Sequence, residues 1–377
     1  MNTIPFRSLG KYDWPSTPVN RGLDRLREAV RPLLNRGDAS GIDTGRLERP
    51  SQALLDDLSE PPAHQPVVSE LDATLSGWLD APENGPRHQT IVLPPCDRED
   101  LLGRWAGDRG LPVFGLDRGV GELDALDTAS AEPLVVPKLE RHFLRTRDGL
   151  VRMRILIDRM ARMERSLIVG CNSWAWQFLR KSCEIDLVFS DPVTFRAYDR
   201  ERLRAWLGTL AHAPADETAL CFRAAATGRD VFGNGDGEAE VSSFMTDLAK
   251  RSLGIPWVAW HLWRDSLRTE IPIHDDEDAM RDCKPNTLWV AELQSPSVPS
   301  RSDQNALLIL HALLIHGGLT DDQIVQTVPL VTYTNVLSSL LRGGLIDETD
   351  GLYRCHPAAY PAVRDGLKNN GYPVDVL

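Results

Sequence analysis

Short apolar runs alternate with amphipathic stretches through the first half of the chain. Ile91–Leu93, Leu111–Leu116, Pro133–Val136, Ser166–Gly170 and Asp186–Phe189 are brief and nearly all apolar. That is the pattern of strands buried on both faces of a parallel sheet. Between them, Asp97–Gly107, Gly149–Met163 and Trp174–Lys181 have helical spacing, the first opened by an Asp cap. The middle helix turns Met153, Leu156, Ile157, Met160 and Met163 inward. Strands separated by helices imply right-handed crossovers covering a sheet. Upstream, Val67–Leu79 carries Leu71, Leu75 and Trp78 on one stripe. Residues 195–275 read as helical instead: Asp199–Leu210, Val241–Leu253 and Pro256–Leu267, the last with Trp257, Trp260 and Trp263 at core-packing spacing.

The C-terminal pattern is the clearest. Asp303–His316 is an apolar helix, and Thr320 caps a second, Asp321–Val328, with two acids in its first turn. Thr332–Arg342 is a third that stops at Gly343-Gly344. Leu345-Ile346, the turn 347–351 and Leu352–His356 form a hairpin, and a last helix runs through Tyr360–Asn369. Three helices and a β-wing make a winged helix. At the other end, Pro5, Pro15, Pro18, Pro32, Pro50, Pro61 and Pro62 punctuate an arm in which only Gly22–Leu34 and Ser51–Leu58 have helical spacing.

The junction after the first core strand bears most directly on function. Gln89-Thr-Ile-Val-Leu-Pro-Pro-Cys-Asp-Arg-Glu-Asp-Leu-Leu102 has the strand–turn–helix frame of a phosphate-binding loop, whose signature is G-x-x-x-x-G-K-[ST]. Here the turn holds Pro94, Pro95, Cys96 and Asp97, with neither glycine nor lysine. Such a loop aims backbone N–H groups at anionic oxygens and adds a lysine charge. Two prolines remove two donors, and Asp97, Glu99 and Asp100 place negative charge where a triphosphate would sit.

The whole order resembles the AAA+/STAND branch of P-loop ATPases, with the similarity in layout over residues 86–360. The resemblance implies an α/β fold: a parallel P-loop NTPase-like sheet core at 66–192 behind an N-terminal arm at 1–65, an all-α lid at 193–300 and a winged helix at 301–377. It also implies positions for the catalytic groups. The acidic pair that holds Mg²⁺ would follow Pro133-Leu-Val-Val136, where Pro137 and Lys138 stand, and Glu140 is the nearest acid. The sensor at the end of the fourth strand fits Asn172, which reads equally as a helix cap. The lid arginine is replaced by Trp257, with Arg264 two turns on. Asn172, Glu140 and Arg264 are therefore the candidate nucleotide-binding residues. Losing the electrostatic groups of phosphoryl transfer costs a hundredfold or more each, so a degenerate, inactive ATPase is expected.

Composition adds limits. Hydrophobic residues make up 42% and charged residues 25% of the 377, as in ordinary globular proteins, and no apolar run is long enough for a membrane helix. The start lacks an apolar leader, and the six cysteines form no C-x-x-C pair, which together suggest reduced thiols in a cytoplasmic protein. Only six of the 42 basic residues are Lys, as in GC-rich bacterial genomes. No cofactor or metal is expected: the acidic run 274–278 and the loop 230–240 miss metal-ligand spacing.

Net charge of −12 opposes general nucleic-acid binding, and residues 303–377 carry four basic against eight acidic side chains. A DNA-binding regulator is thus the disfavoured reading, beside an ATP-binding switch without turnover. A protein partner or self-association is favoured. Eight arginines between Arg141 and Arg165, among them Arg145, Arg147, Arg152, Arg159 and Arg162, face only Asp148, Asp158 and Glu164. They form either a solvated helix face or a patch for an acidic or phosphate-bearing partner.

Overall fold

The computed structural model describes residues 4–15, 41–51, 55–56, 64–80, 87–115, 132–211, 221–232, 242–271, 287–299, 304–329 and 335–377. The helix expected at 22–34, the acidic run 274–278, and most of the 230–240 loop lie outside them, as do parts of the 51–58 and 332–342 helices. The chain divides into two compact units, one of residues 1–13, 63–196 and 295–377, the other of 14–62 and 197–294.

In the first unit the described elements are β1 (Arg7–Ser8), α1 (Gln65–Asp80), β2 (His88–Leu93), α2 (Leu101–Asp108), β3 (Leu134–Val136), α3 (Arg147–Arg162), β4 (Leu167–Asn172), α4 (Ser173–Cys183) and β5 (Val193–Thr194). The sheet runs β1-β5-β2-β4-β3, parallel except for β1. All six residues of β4 are buried, as a central strand with both faces covered requires. Gly170 is obligatory there: a Cβ would lie 2.2 Å from the Pro137 carbonyl oxygen and 2.6 Å from Leu102. Thr146 caps α3 by accepting from the Gly149 N–H at 3.1 Å.

The unit continues with α5 (Gln304–His316), β6 (Leu319–Thr320), α6 (Asp321–Thr327), α7 (Val336–Arg342), β7 (Ile346–Thr349), β8 (Leu352–Cys355) and α8 (Tyr360–Asn369). β8 lies between β6 and β7 in an antiparallel sheet. Thr320 and Gln323 form a reciprocal capping box at the start of α6. Among the described residues no helix is long and apolar enough to cross a membrane.

Three sequence expectations are corrected. Asp186–Phe189 is not a strand: Ile185–Leu187 is a 3-10 turn, and Val193–Thr194 takes the place in the sheet. In a strand Leu187 and Phe189 would share a face, yet Leu187 is 79% exposed and Phe189 is fully buried. The stretch from Leu111 makes only a single parallel bridge, Val113 to Val135, because Pro112 has no N–H to extend the ladder.

The second unit is not all-α. Beside helices Arg200–Ala211, Phe244–Arg251 and Pro256–Ser266 it holds a four-stranded sheet. Its order is Leu47–Glu48, Leu267–Glu270, Thr287–Val290, Cys221–Ala224. These strands are at most four residues long, below the length at which alternation separates strand from helix. Leu267, expected to end a helix, is instead the first residue of a strand.

Candidate functional site

The loop from Pro94 to Asp100 joins β2 to α2, and its residues Pro94–Arg98 line a cavity of about 50 Å³ with Lys138, Glu140, Asn172, Arg354 and Cys355. The space admits a few waters. All the lining residues belong to the first unit.

The loop's polar groups are occupied from within. The Asp97 carboxylate accepts the Glu99 N–H at 3.1 Å and the Leu101 N–H at 2.9 Å. Those donors open α2, and in an anion-binding loop they would face the ligand. An aspartate's own side chain stands in for that anion, the Asx-turn arrangement. Lys138 donates through Nζ to the Asp97 carbonyl at 2.9 Å and lies 3.8 Å from the Asp100 carboxylate. Its charge is thus turned onto the loop. Cys96 and Asp100 both hold left-handed backbone, with φ of 69° and 51°, a conformation that costs a residue with a side chain roughly 1–3 kcal/mol.

Glu140 and Asn172 meet behind the loop. The Asn172 N–H donates to Glu140 Oε2 at 3.1 Å, and both residues are buried. Burial raises the Glu140 carboxyl above the ordinary range, opposed in part by the nearby Lys138 charge. Burial also pushes the Cys171 thiol well above its usual value, with the Glu140 charge adding to the effect. Both ends of the Asn172 side chain are engaged. Its Oδ1 caps α4 by accepting from Ala175 N–H at 2.8 Å, and its Nδ2 donates to the Ile315 carbonyl at 3.1 Å. Arg264, the third candidate, belongs to the second unit, where its buried guanidinium pairs with Asp56 and lies over the Trp260 ring.

The outer side of the cavity comes from the β7–β8 hairpin. Arg98 pairs with Asp347 of β7 and donates to the Cys355 carbonyl at 3.3 Å. Burial, and then the charges of Arg98 and Arg141, lower the pKa of Arg354 on β8. Sequence reasoning missed Asp97 as the internal anion, and the Arg98–Asp347 pair. Asp97 two residues before Glu99 is the local signal for the first. Arg98 and Asp347 are 249 residues apart, so no local signal exists for the second.

The basic stretch divides. Arg147, Arg152, Arg159 and Arg162 are exposed along α3, where Arg162 pairs with Asp158 at 2.9 Å one turn away. Val151 and Ile155 on the same helix are nearly half exposed. Arg145 turns toward α5 instead: its Nη1 lies 3.0 Å from His311 Nδ1, and its backbone N–H donates to His316 Nε2 at 3.2 Å. Burial, and then the Arg145 charge, lower His311 to about 3.

No family model matches the chain, and no curated protein sequence matches it. Solved structures that align with it include the Aeropyrum pernix ORC2 protein in its ADPNP–ADP complexes, at 12% identity and a TM-score of 0.34 over 97% of this chain and 99% of that one. Cdc6p from Pyrobaculum aerophilum aligns at 12% identity and 0.29, over 83% and 97% of the two chains. A Thermotoga maritima RuvB variant aligns at 12% and 0.33, over 86% and 96%. At these scores the likeness carries no argument, and the functional reading rests on the loop and its partners.

Proposed function

We propose that the chain is a catalytically inactive AAA+/STAND-like pseudo-ATPase that serves as a protein-interaction or oligomerisation scaffold. Residues 66–192 form its degenerate core and 301–377 its winged helix. One observation carries the reading: the N–H groups that would cradle a phosphate are bonded to the Asp97 carboxylate. A triphosphate brought there would meet a carboxylate on the donors it needs. The residues present do not fit a Mg²⁺–nucleotide complex, because the Lys138 ammonium sits beside Asp97 and Asp100, the loop's own acids. No hydrolytic step is derived through this site.

The contact surface on this reading is the exposed side of α3, where Arg147, Arg152, Arg159 and Arg162 surround Val151 and Ile155. Apolar side chains rimmed by charge suit an acidic protein partner, including another copy of this acidic chain. The acidic C-terminal module offers few cations for phosphate contacts, which keeps duplex DNA the weaker candidate.

Turnover assays of the full chain with Mg²⁺–ATP, beside a Lys138→Ala variant, test the reading. Phosphate release at background in both is expected. Enzyme-like turnover that Lys138→Ala abolishes overturns it.

A further inference from the structure

We propose that Cys96 and Cys355 form a reversible disulfide, with a hydroperoxide as oxidant, that locks the C-terminal hairpin onto the β2–α2 loop. Both cysteines line the same small cavity, Cys96 from the β2–α2 loop and Cys355 from the end of β8, and the neighbouring Cys96 thiol, followed by burial, pushes the Cys355 thiol well above its usual value. They come from segments far apart in sequence, and neither sits in a C-x-x-C pair.

Three further observations make the approach a built feature. Arg98, two residues after Cys96, donates to the carbonyl of Cys355 itself at 3.3 Å and pairs with Asp347 on the neighbouring strand. Loop and hairpin are thereby held together beside the two cysteines. Cys96 takes a left-handed φ of 69°, which a residue with a side chain adopts at a cost. Asn or Gly would relieve that strain, yet a cysteine occupies the position. Finally, the pair is asymmetric in access. Both border the cavity, but Cys96 is half-buried whereas Cys355 is buried at the end of its strand.

That asymmetry sets the order of events. Cys96 sulfur attacks the peroxide O–O bond, forming a sulfenic acid and releasing water once the thiol proton is transferred. Cys355 sulfur then attacks the Cys96 sulfur. The S–S bond forms, the S–O bond breaks, and the departing hydroxide takes the Cys355 proton as water. Overall, two thiols and one hydrogen peroxide yield one disulfide and two waters. Arg141 and Arg354, which also line the cavity, favour the negative charge that each step develops on the leaving oxygen. Closing to an S–S distance of about 2.0 Å falls to Cys96, since Cys355 is fixed in the strand. A long loop is closed by the bond, which constrains the unfolded chain strongly. None of this depends on whether the chain binds nucleotide.

The test treats the full-length, reduced chain with hydrogen peroxide, blocks remaining thiols with N-ethylmaleimide, and maps peptides by mass spectrometry. A Cys96–Cys355 linked peptide is expected in a species that runs as a monomer without reductant. The thermal midpoint should rise by several degrees and return after dithiothreitol. Cys96→Ser should remove both the linked peptide and the shift. Replacing buried Cys355 can disturb the fold, so the half-exposed position carries the comparison. Cys96 driven to sulfinic acid without a link, or linked to Cys171, overturns the proposal. A linked peptide with an unchanged midpoint overturns the lock.

Discussion

Asp375 anchors a buried hydrogen-bond network in the first unit. Its side chain is fully buried, and three side-chain donors converge on it. Ser173 Oγ donates to Oδ2 at 2.6 Å, the Tyr360 hydroxyl to Oδ2 at 2.9 Å, and Arg364 Nε to Oδ1 at 2.7 Å. Trp174 Nε1 in turn donates to the Tyr360 oxygen at 3.2 Å. The network ties the last residues of the chain to the first turn of α4 and to α8. Asp375→Ala removes the carboxylate that the mostly buried Arg364 guanidinium bonds through Nε. Removing one member of a buried ion pair costs about 3–5 kcal/mol, most of it the stranded charge. The orphaned hydroxyls add to this to the extent that water fails to reach them.

Because the chain has two units, hydrogen exchange resolved by peptide is the appropriate assay. Protection in α4 and α8 should fall by about 3 kcal/mol or more, while peptides from 244–266 keep theirs. Arg364→Ala combined with Asp375→Ala should cost less than the two single changes added, by about 0.5–3 kcal/mol. A loss under about 1 kcal/mol for Asp375→Ala, or an additive double variant, would refute the reasoning.

Acid should destabilise the fold through its buried histidines. Burial lowers His64 to about 4 and His311 to about 3, below their usual value of 6.5. Stability they contribute is present above pH 6.5 and is lost as pH falls toward those values, by roughly 2 kcal/mol each at pH 5. His311→Gln, which can still accept from Arg145, should flatten the stability–pH slope between pH 6.5 and 5 by about one proton. Glu140 has the opposite sign for a carboxyl: its raised pKa means its stability is greatest below the usual carboxyl value and is lost as pH rises through the folded one. Glu140→Gln keeps an acceptor for the Asn172 N–H, so its advantage over wild type in urea melts should grow with pH; a constant difference contradicts this. On α3, Arg152→Glu with Arg159→Glu should weaken partner or self-association at low salt, with the effect fading as ionic strength rises. Unchanged sedimentation and pull-down at low salt would make these arginines solvated surface only.

The sequence makes the parallel core legible where burial is continuous. Ile91–Leu93, Leu134–Val136 and Leu167–Gly170 are apolar without interruption, and all are buried strands. Thr320 is legible as a cap because the motif is local, its partner Gln323 only three residues on. Asp186–Phe189 misleads because a short apolar run suits strand and helical turn alike, and only the exposure of Leu187 separates them. The second unit's sheet is hidden for a related reason: its strands are short, and the aromatic helix beginning at Pro256 dominates the pattern. At the loop, the missing glycine and lysine are visible in sequence. What replaces the phosphate is not, because Lys138 reaching the Asp97 carbonyl and Arg98 reaching Asp347 exist only after folding.

Calorimetric titration of the full chain with ATP and Mg²⁺, repeated with ADP, puts the greatest strain on the pseudo-ATPase reading. With the loop donors held by Asp97 and Lys138 turned onto the loop, no heat of binding is expected at millimolar nucleotide. Micromolar binding that Asn172→Ala or Glu140→Gln weakens would contradict it and place a rebuilt nucleotide site at this cavity.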